Sequence, residues 1–243
     1  ESCEFNFNHV KSHDDDAYAG AIYMNAGTGN IDYCTFRANK VECITGYSLS
    51  SGAALYMIAS TTGYCNSCVF IENNSTSYEG DCYGSIFMQY GEFSYNNCSF
   101  VNNECNSIKT SCSCLGGVLC VAGGQVMLNY CTFDNNSMNS YSVCNGVCIF
   151  ALSSAFLFDS CTFKHNKGKV ENGTIYGLVS LQESNSQLTH CLIIDNEIDS
   201  IQSFSSGYGG IIYIIKGFLI IEDTDFIMNS MSSFSGRCFG AVL

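Results

Sequence analysis

The most reactive side chains in this chain are its cysteines, 17 of them in 243 residues. Thiols at that density serve disulfides, soft-metal sites or redox chemistry, and are unusual in a reducing cytosol. Seven obey one rule. Cys3, Cys34, Cys68, Cys98, Cys131, Cys161 and Cys191 each stand two residues before Phe5, Phe36, Phe70, Phe100, Phe133, Phe163 or Ile193. Of the rest, Cys65 and Cys148 fall at apolar positions and Cys120 on the outer face of a strand. Cys43, Cys82, Cys105, Cys112, Cys114, Cys144 and Cys238 lie in or beside segments of variable length. These last are the better disulfide candidates: Cys82–Cys114 or Cys114–Cys144 would staple neighbouring repeats, and Cys105 with Cys112 would close a short loop. Cys65-x-x-Cys68 and Cys112-x-Cys114 have metal-like spacing, but neither has a second pair to complete a zinc site. No metal or cofactor is expected.

Glycan cleavage would need clustered carboxylates, or a calcium cluster with a basic residue as proton acceptor. Asp32, Asp159 and Glu222 fall on non-adjacent repeats, and Asp14-Asp15-Asp16 reads as a solvated loop. Asp134 with Lys164, and His165 with Asp195, sit one repeat apart and read as surface ion pairs, which contribute little. No catalytic residue is assigned.

The elements that would position these groups come from a repeat. Five residues after each ladder cysteine stands Asn8, Asn39, Asn73, Asn103, Asn136, Asn166 or Asn196, and an eighth copy carries Thr224, Phe226 and Asn229. Successive asparagines are 30 to 34 residues apart. Each copy also holds a glycine phrase such as Ala19-Gly20-Ala21-Ile22-Tyr23-Met24 or Gly209-Gly210-Ile211-Ile212. Within it apolar residues recur with period two, the mark of a strand with one buried face. A second strand ends before a polar pair such as Asp32-Tyr33, which reads as a corner, and a third carries the cysteine and phenylalanine inward.

Three short strands and three corners per repeat, without helical periodicity, describe one coil of a right-handed parallel β-helix. We expect seven to eight such coils and one domain over residues 1–243. Like residues should stack at about 4.8 Å, so ladder cysteines have parallel Cβ vectors and should stay reduced thiols. Nearly all length variation falls in arcs 9–17, 40–51, 74–82, 104–115, 137–144, 167–175, 197–208 and 230–238. These should project on one side and carry the function.

Composition narrows the partners. With 9 basic and 22 acidic residues, a net charge of −13, the chain lacks the basic footprint of a nucleic-acid or anionic-membrane binder. Its longest apolar stretch, 209–221, contains Lys216 and is too short to span a bilayer, so no transmembrane segment is expected. Sequons occur at Asn73, Asn74, Asn97, Asn135 and Asn172. Asn73 belongs to the asparagine ladder, which leaves Asn172 as the best glycan acceptor. Neither chain end has a polar cap, so we expect a longer parent solenoid or end-to-end self-association.

The alternation of Ala19-Gly20-Ala21-Ile22 and Gly209-Gly210-Ile211-Ile212 with Phe36-Arg37-Ala38-Asn39 and Phe133-Asp134-Asn135-Asn136 resembles the repeats of the chlamydial polymorphic outer membrane proteins. Large surface proteins of trichomonad-type protists carry similar repeats. The resemblance covers essentially the whole chain. It implies a pectin-lyase-like β-helix at a cell surface, used in adhesion, as a stalk or in a filament, and meeting a protein or glycan. The wealth of cysteine and the absence of tryptophan and proline depart from it. The alternatives are a polysaccharide-active enzyme and an intracellular scaffold with reduced cysteines.

Overall fold

The computed structural model describes residues 2–109, 112–201, 206–233 and 237–240. They form an all-β parallel solenoid of about seven turns, with no helix among them. Every turn crosses four sheets; the three strands expected fall in two of them, and the other two sheets lie in the variable arcs.

The first sheet is eight-stranded, running from Glu4–Asn6 through Val69–Ile71 and Ser99–Val101 to Asp225–Ile227. It pairs Phe5 with Phe36, Phe36 with Phe70, Phe70 with Phe100, Phe100 with Phe133 and Phe133 with Phe163. The rings stack at 4.5 to 5.1 Å. Ile193 ends the stack, and Phe226 packs beyond it. The long sheet carries the glycine phrase and the strand before the ladder cysteine. In mid-solenoid the two merge into single strands, Ile86–Asn96, Leu119–Asn129 and Ile149–Asp159.

The first of the two unexpected sheets occupies the start of every variable arc, as in Lys40–Cys43, Asn74–Ser77, Glu104–Ser107 and Ser137–Ser140. Its inward positions are mostly small: Ser75, Ser77, Cys105, Ser107 and Ser140 are buried there. Small polar side chains give no apolar alternation, so the strand was invisible to periodicity. A short fourth sheet follows, including Ser50–Ser51, Cys82–Tyr83 and Ser113–Leu115. The arcs are therefore built into the coil wall rather than projecting whole. Only their middles, such as 13–16, 44–49 and 78–81, lie outside the ladders. Arcs 104–115, 197–208 and 230–238 also contain residues outside the described set.

Corners are made by single residues in the left-handed region. One precedes each ladder asparagine (Ala38, Glu72, Asn102, Asn135, His165) and one each later ladder cysteine (Tyr33, Ser67, Asn97, Tyr130, Ser160), with φ between 49° and 59°. Such backbone costs about 1–3 kcal/mol per residue unless its surroundings hold it, and the asparagine ladder does so. Asn39 Nδ2 donates to Asn73 Oδ1 at 2.9 Å and to the Phe5 carbonyl at 2.7 Å, and Asn39 N–H donates to the same Asn73 oxygen at 3.1 Å. This pattern repeats up to Asn229. Every buried amide in the column is thereby satisfied.

Ladder thiols are also satisfied. Cys131 Sγ donates to the Tyr95 carbonyl at 3.3 Å or to that of Asn129 at 3.4 Å, and Cys98 and Cys161 follow the same pattern.

Candidate functional site

Outward positions of the glycine-phrase strand carry Tyr23, Tyr56, Phe87, Cys120 and Phe150 in register. Their neighbours Leu55, Met57, Ile86 and Met88 point into the core. At the same corner the short fourth sheet turns Tyr18, Ser51, Tyr83 and Leu115 outward. All of these outward residues but Tyr23, together with Leu49, Gln89, Ala122 and Leu152, line a groove of about 380 Å³.

Its rings hold one another in place. Tyr23 stacks on Tyr56 at 5.4 Å and Tyr56 on Phe87 at 5.0 Å, while Tyr83 meets Phe87 edge-on at 5.4 Å. Tyr18 tilts against Tyr56 at 4.7 Å and donates its hydroxyl to Asp16. Among the described residues no Lys, Arg, Asp or Glu lines the groove. Burial pushes the Tyr18, Tyr83 and Tyr56 hydroxyls above their ordinary value, and Tyr18 is held further by its bond to Asp16. The groove offers apolar ring edges, hydroxyls and the Gln89 amide, with no charge. A second aromatic set follows the same corner further on: Tyr208 stacks on Tyr176 at 5.5 Å and on Phe239 at 5.1 Å.

A larger, polar trough of about 570 Å³ lies where the long strands bend, lined by Thr62, Tyr90, Glu92, Gln125, Ser153 and Glu183 among others. Glu183 is paired with Lys216 at 3.2 Å. Glu92 and Glu183 lie three coils apart, about 14 Å at the parallel-strand spacing. That separation exceeds both glycosidase geometries, of about 5 Å and up to about 9.5 Å.

The residues singled out for acid–base chemistry sit in structural bonds. Lys164 pairs with Asp134 at 3.2 Å, and His165 pairs with Asp134 at 3.0 Å rather than with Asp195. The left-handed corner residue His165 reaches back one coil toward Asp134. Asp32 accepts from Asn66 at 2.8 Å and Asp159 contacts His190 at 3.2 Å. Asp14 and Asp16 accept from Thr45 and from the Leu49 N–H, tying their loop to the loop of the next coil.

Cysteines are buried almost throughout, and no disulfide joins any two of the described ones. Cys65 and Cys68 occupy two separate core columns. Cys82 pairs in register with Cys114, and Cys114 with Cys144. A close approach that spacing did not suggest joins another pair: Cys105 Sγ lies 2.9 Å from Cys82 Sγ. With Cys114 they form a wholly buried cluster whose sulfurs all lie within 4.8 Å of one another. Cys112 is buried nearby, and its carbonyl accepts from Ser140 Oγ. The cluster was missed because it needs the strand Glu104–Ser107, which turns Cys105 inward. The aromatic corner did have a signal, in the rings at outward positions of successive glycine phrases.

Among the sequons Asn73 is buried in the ladder, while Asn97, Asn135 and Asn172 are exposed. No helix among the described residues is long and apolar enough to cross a membrane. No family model, no curated protein and no solved structure matches this chain.

Proposed function

We propose that this chain is a non-enzymatic solenoid of an extracellular or cell-surface protein, an adhesin or stalk, whose aromatic corner groove binds an uncharged glycan. The observation that carries the reading is the groove around Tyr18, Tyr56, Tyr83 and Phe87, which is aromatic, hydroxyl-bearing and free of charge. A net charge of −13 disfavours acidic glycans, and the absence of any cation in the groove gives them no anchor. Apolar walls with a few fixed polar groups are the usual make-up of a small-ligand site. Kinship with the surface repeats of chlamydial and trichomonad-type proteins belongs to this proposal and supports it through the alternating glycine and Phe-x-x-Asn phrases.

Binding to arrayed neutral and acidic glycans tests it, with Tyr83→Ala and Phe87→Ala as variants. Neutral glycans should bind, and each variant should weaken binding at least tenfold while keeping the wild-type β-sheet spectrum. Binding only to sulfated or sialylated glycans would refute the charge argument. Release of new reducing ends from any bound glycan would establish the enzymatic alternative instead.

A further inference from the structure

We propose that Cys82 and Cys105 are a disulfide pair in the oxidised protein, locking the third coil to the fourth, with Cys114 beside them as a thiol. This does not rest on the glycan reading. Cys82 lies in the short fourth sheet, in strand Cys82–Tyr83, and Cys105 in the serine-rich sheet of the next coil, in strand Glu104–Ser107. The two sheets meet at a corner, so the side chains converge from different directions. That separates this pair from Cys82 and Cys114, which stack in register with parallel Cβ vectors near 4.8 Å, beyond the ~3.8 Å a disulfide prefers.

Two observations favour a disulfide over a metal ion in the cluster. Sulfurs bound to zinc at about 2.3 Å in tetrahedral geometry stand about 3.8 Å apart, and 2.9 Å between Cys82 and Cys105 is too short for that. Charge is the second. The cluster's other polar contacts are neutral: Cys82 donates to the Ser75 carbonyl at 3.0 Å, Cys114 to the Asn139 carbonyl at 3.3 Å, and Ser75 Oγ to Ser50 Oγ at 3.2 Å. Three thiolates around a divalent ion would leave one uncompensated negative charge in a wholly buried site, which is costly. A disulfide carries none. Burial also pushes the Cys105 and Cys114 thiols well above their ordinary value, against a multiply ionised cluster.

The oxidant is a small disulfide of the oxidised-glutathione class. Cys82, as thiolate, attacks one of its sulfurs and expels one small thiol, giving a mixed disulfide. Cys105 loses its proton and attacks the Cys82 sulfur, expelling the second. Two S–H bonds are lost, one protein S–S bond forms, and the two electrons and two protons end on two small thiols. Because all three cysteines are buried, this exchange takes place while the third and fourth coils are still apart.

The test is a thiol map of the whole chain, refolded in a glutathione redox buffer, then denatured and alkylated. We expect two protected cysteines from this cluster and a single cross-link. Trypsin leaves Cys82 and Cys105 on one peptide, 41–109, and Cys114 on another, 110–164. Further cleavage after glutamate should give 80–92 linked to 105–109. Cys114→Ser should keep that link and Cys105→Ser should abolish it. A reductant should lower the urea midpoint of wild type and leave that of Cys105→Ser unchanged. A link between 41–109 and 110–164 would overturn the pairing. So would alkylation of Cys82 and Cys105 after oxidation, or stoichiometric zinc or copper with these thiols protected and unlinked. The wild-type map decides the matter even if a variant fails to fold.

Discussion

Replacing Asn103 by alanine tests the interaction on which every corner depends. Asn103 Nδ2 donates to the Phe70 carbonyl at 2.8 Å and to Asn136 Oδ1 at 3.0 Å. Its Oδ1 accepts from the Asn73 N–H at 3.1 Å and from Asn73 Nδ2 at 2.9 Å. Alanine deletes all four bonds. It orphans two donors on Asn73, while the Phe70 carbonyl keeps its place in the ladder opposite Phe100 and Asn136 Oδ1 keeps the Asn103 N–H at 2.9 Å. Asn103 and Asn73 are fully buried, so water cannot enter without opening the coil. At about 1–3 kcal/mol for each of the two stranded donors, the expected cost is about 2–6 kcal/mol. That is a large share of the 5–15 kcal/mol typical of a folded domain.

The assay is urea unfolding of the reduced protein, followed by circular dichroism. Two comparisons isolate the cause. Asn8→Ala, at an exposed rung, should cost less than about 1 kcal/mol because water can replace the lost partners. Asn103→Asp keeps the shape and the acceptor but loses both donors, and sets a carboxylate against the Phe70 carbonyl and Asn136 Oδ1. Its folded-state pKa should be raised, so its penalty should be full at neutral pH and shrink as pH falls below that raised value. A loss below about 1 kcal/mol for Asn103→Ala would refute the reasoning, as would an Asn103→Asp protein as stable as wild type at pH 7.

Three further outcomes follow from the same geometry. Phe100→Ala removes the ring stacked between Phe70 and Phe133 and should cost about 3–5 kcal/mol in the same urea assay; a cost under about 1 kcal/mol would place the ring outside the core. Tyr95 is fully buried and its hydroxyl has no hydrogen-bond partner, so Tyr95→Phe should raise stability by about 1 kcal/mol, and a fall would reveal a partner for that oxygen. Burial alone would raise the Glu42 carboxyl, but Lys40, Lys11 and His9 outweigh it and hold the group below its ordinary value. Its contribution is therefore complete above the unfolded value of about 4.3 and lost as pH falls through the folded one; Glu42→Gln should destabilise at pH 7 and approach wild type in acid.

What was legible in the chain is what the repeat enforces with large side chains. The phenylalanine column, the asparagine ladder and the parallel register follow from spacing, because a one-residue slip would turn a phenylalanine out of the core. The serine-rich sheet was hidden for the opposite reason: its inward columns mix Ser75, Ser107, Ser140 and Gly168 with Val41, Met138, Val170 and Ile198, so no apolar phrase recurs from copy to copy. Both candidate sites depend on what that concealed. Cys105 reaches Cys82 only because the hidden strand turns it inward. Tyr18, Ser51, Tyr83 and Leu115 join the outward rings only because the arc ends in a strand of its own.

Cysteine abundance says less about redox compartment than the raw count suggests, because most of these thiols do a job that needs a donor. At each ladder position Sγ reaches the carbonyl two residues back, at 3.2 to 3.4 Å from Cys34 to Cys191. The eighth copy confirms what is required there. Thr224 replaces the cysteine, its hydroxyl donates to the Glu222 carbonyl at 2.9 Å, and its oxygen accepts from the Cys191 N–H at 3.3 Å. A threonine can neither bridge nor bind a soft metal, so the position selects a small hydrogen-bonding side chain. Sulfur suits the inner rungs because a thiol is a weak donor and also packs as a small apolar group. Oxidation chemistry is then confined to the places where two sulfurs leave their columns and converge, as Cys82 and Cys105 do at 2.9 Å.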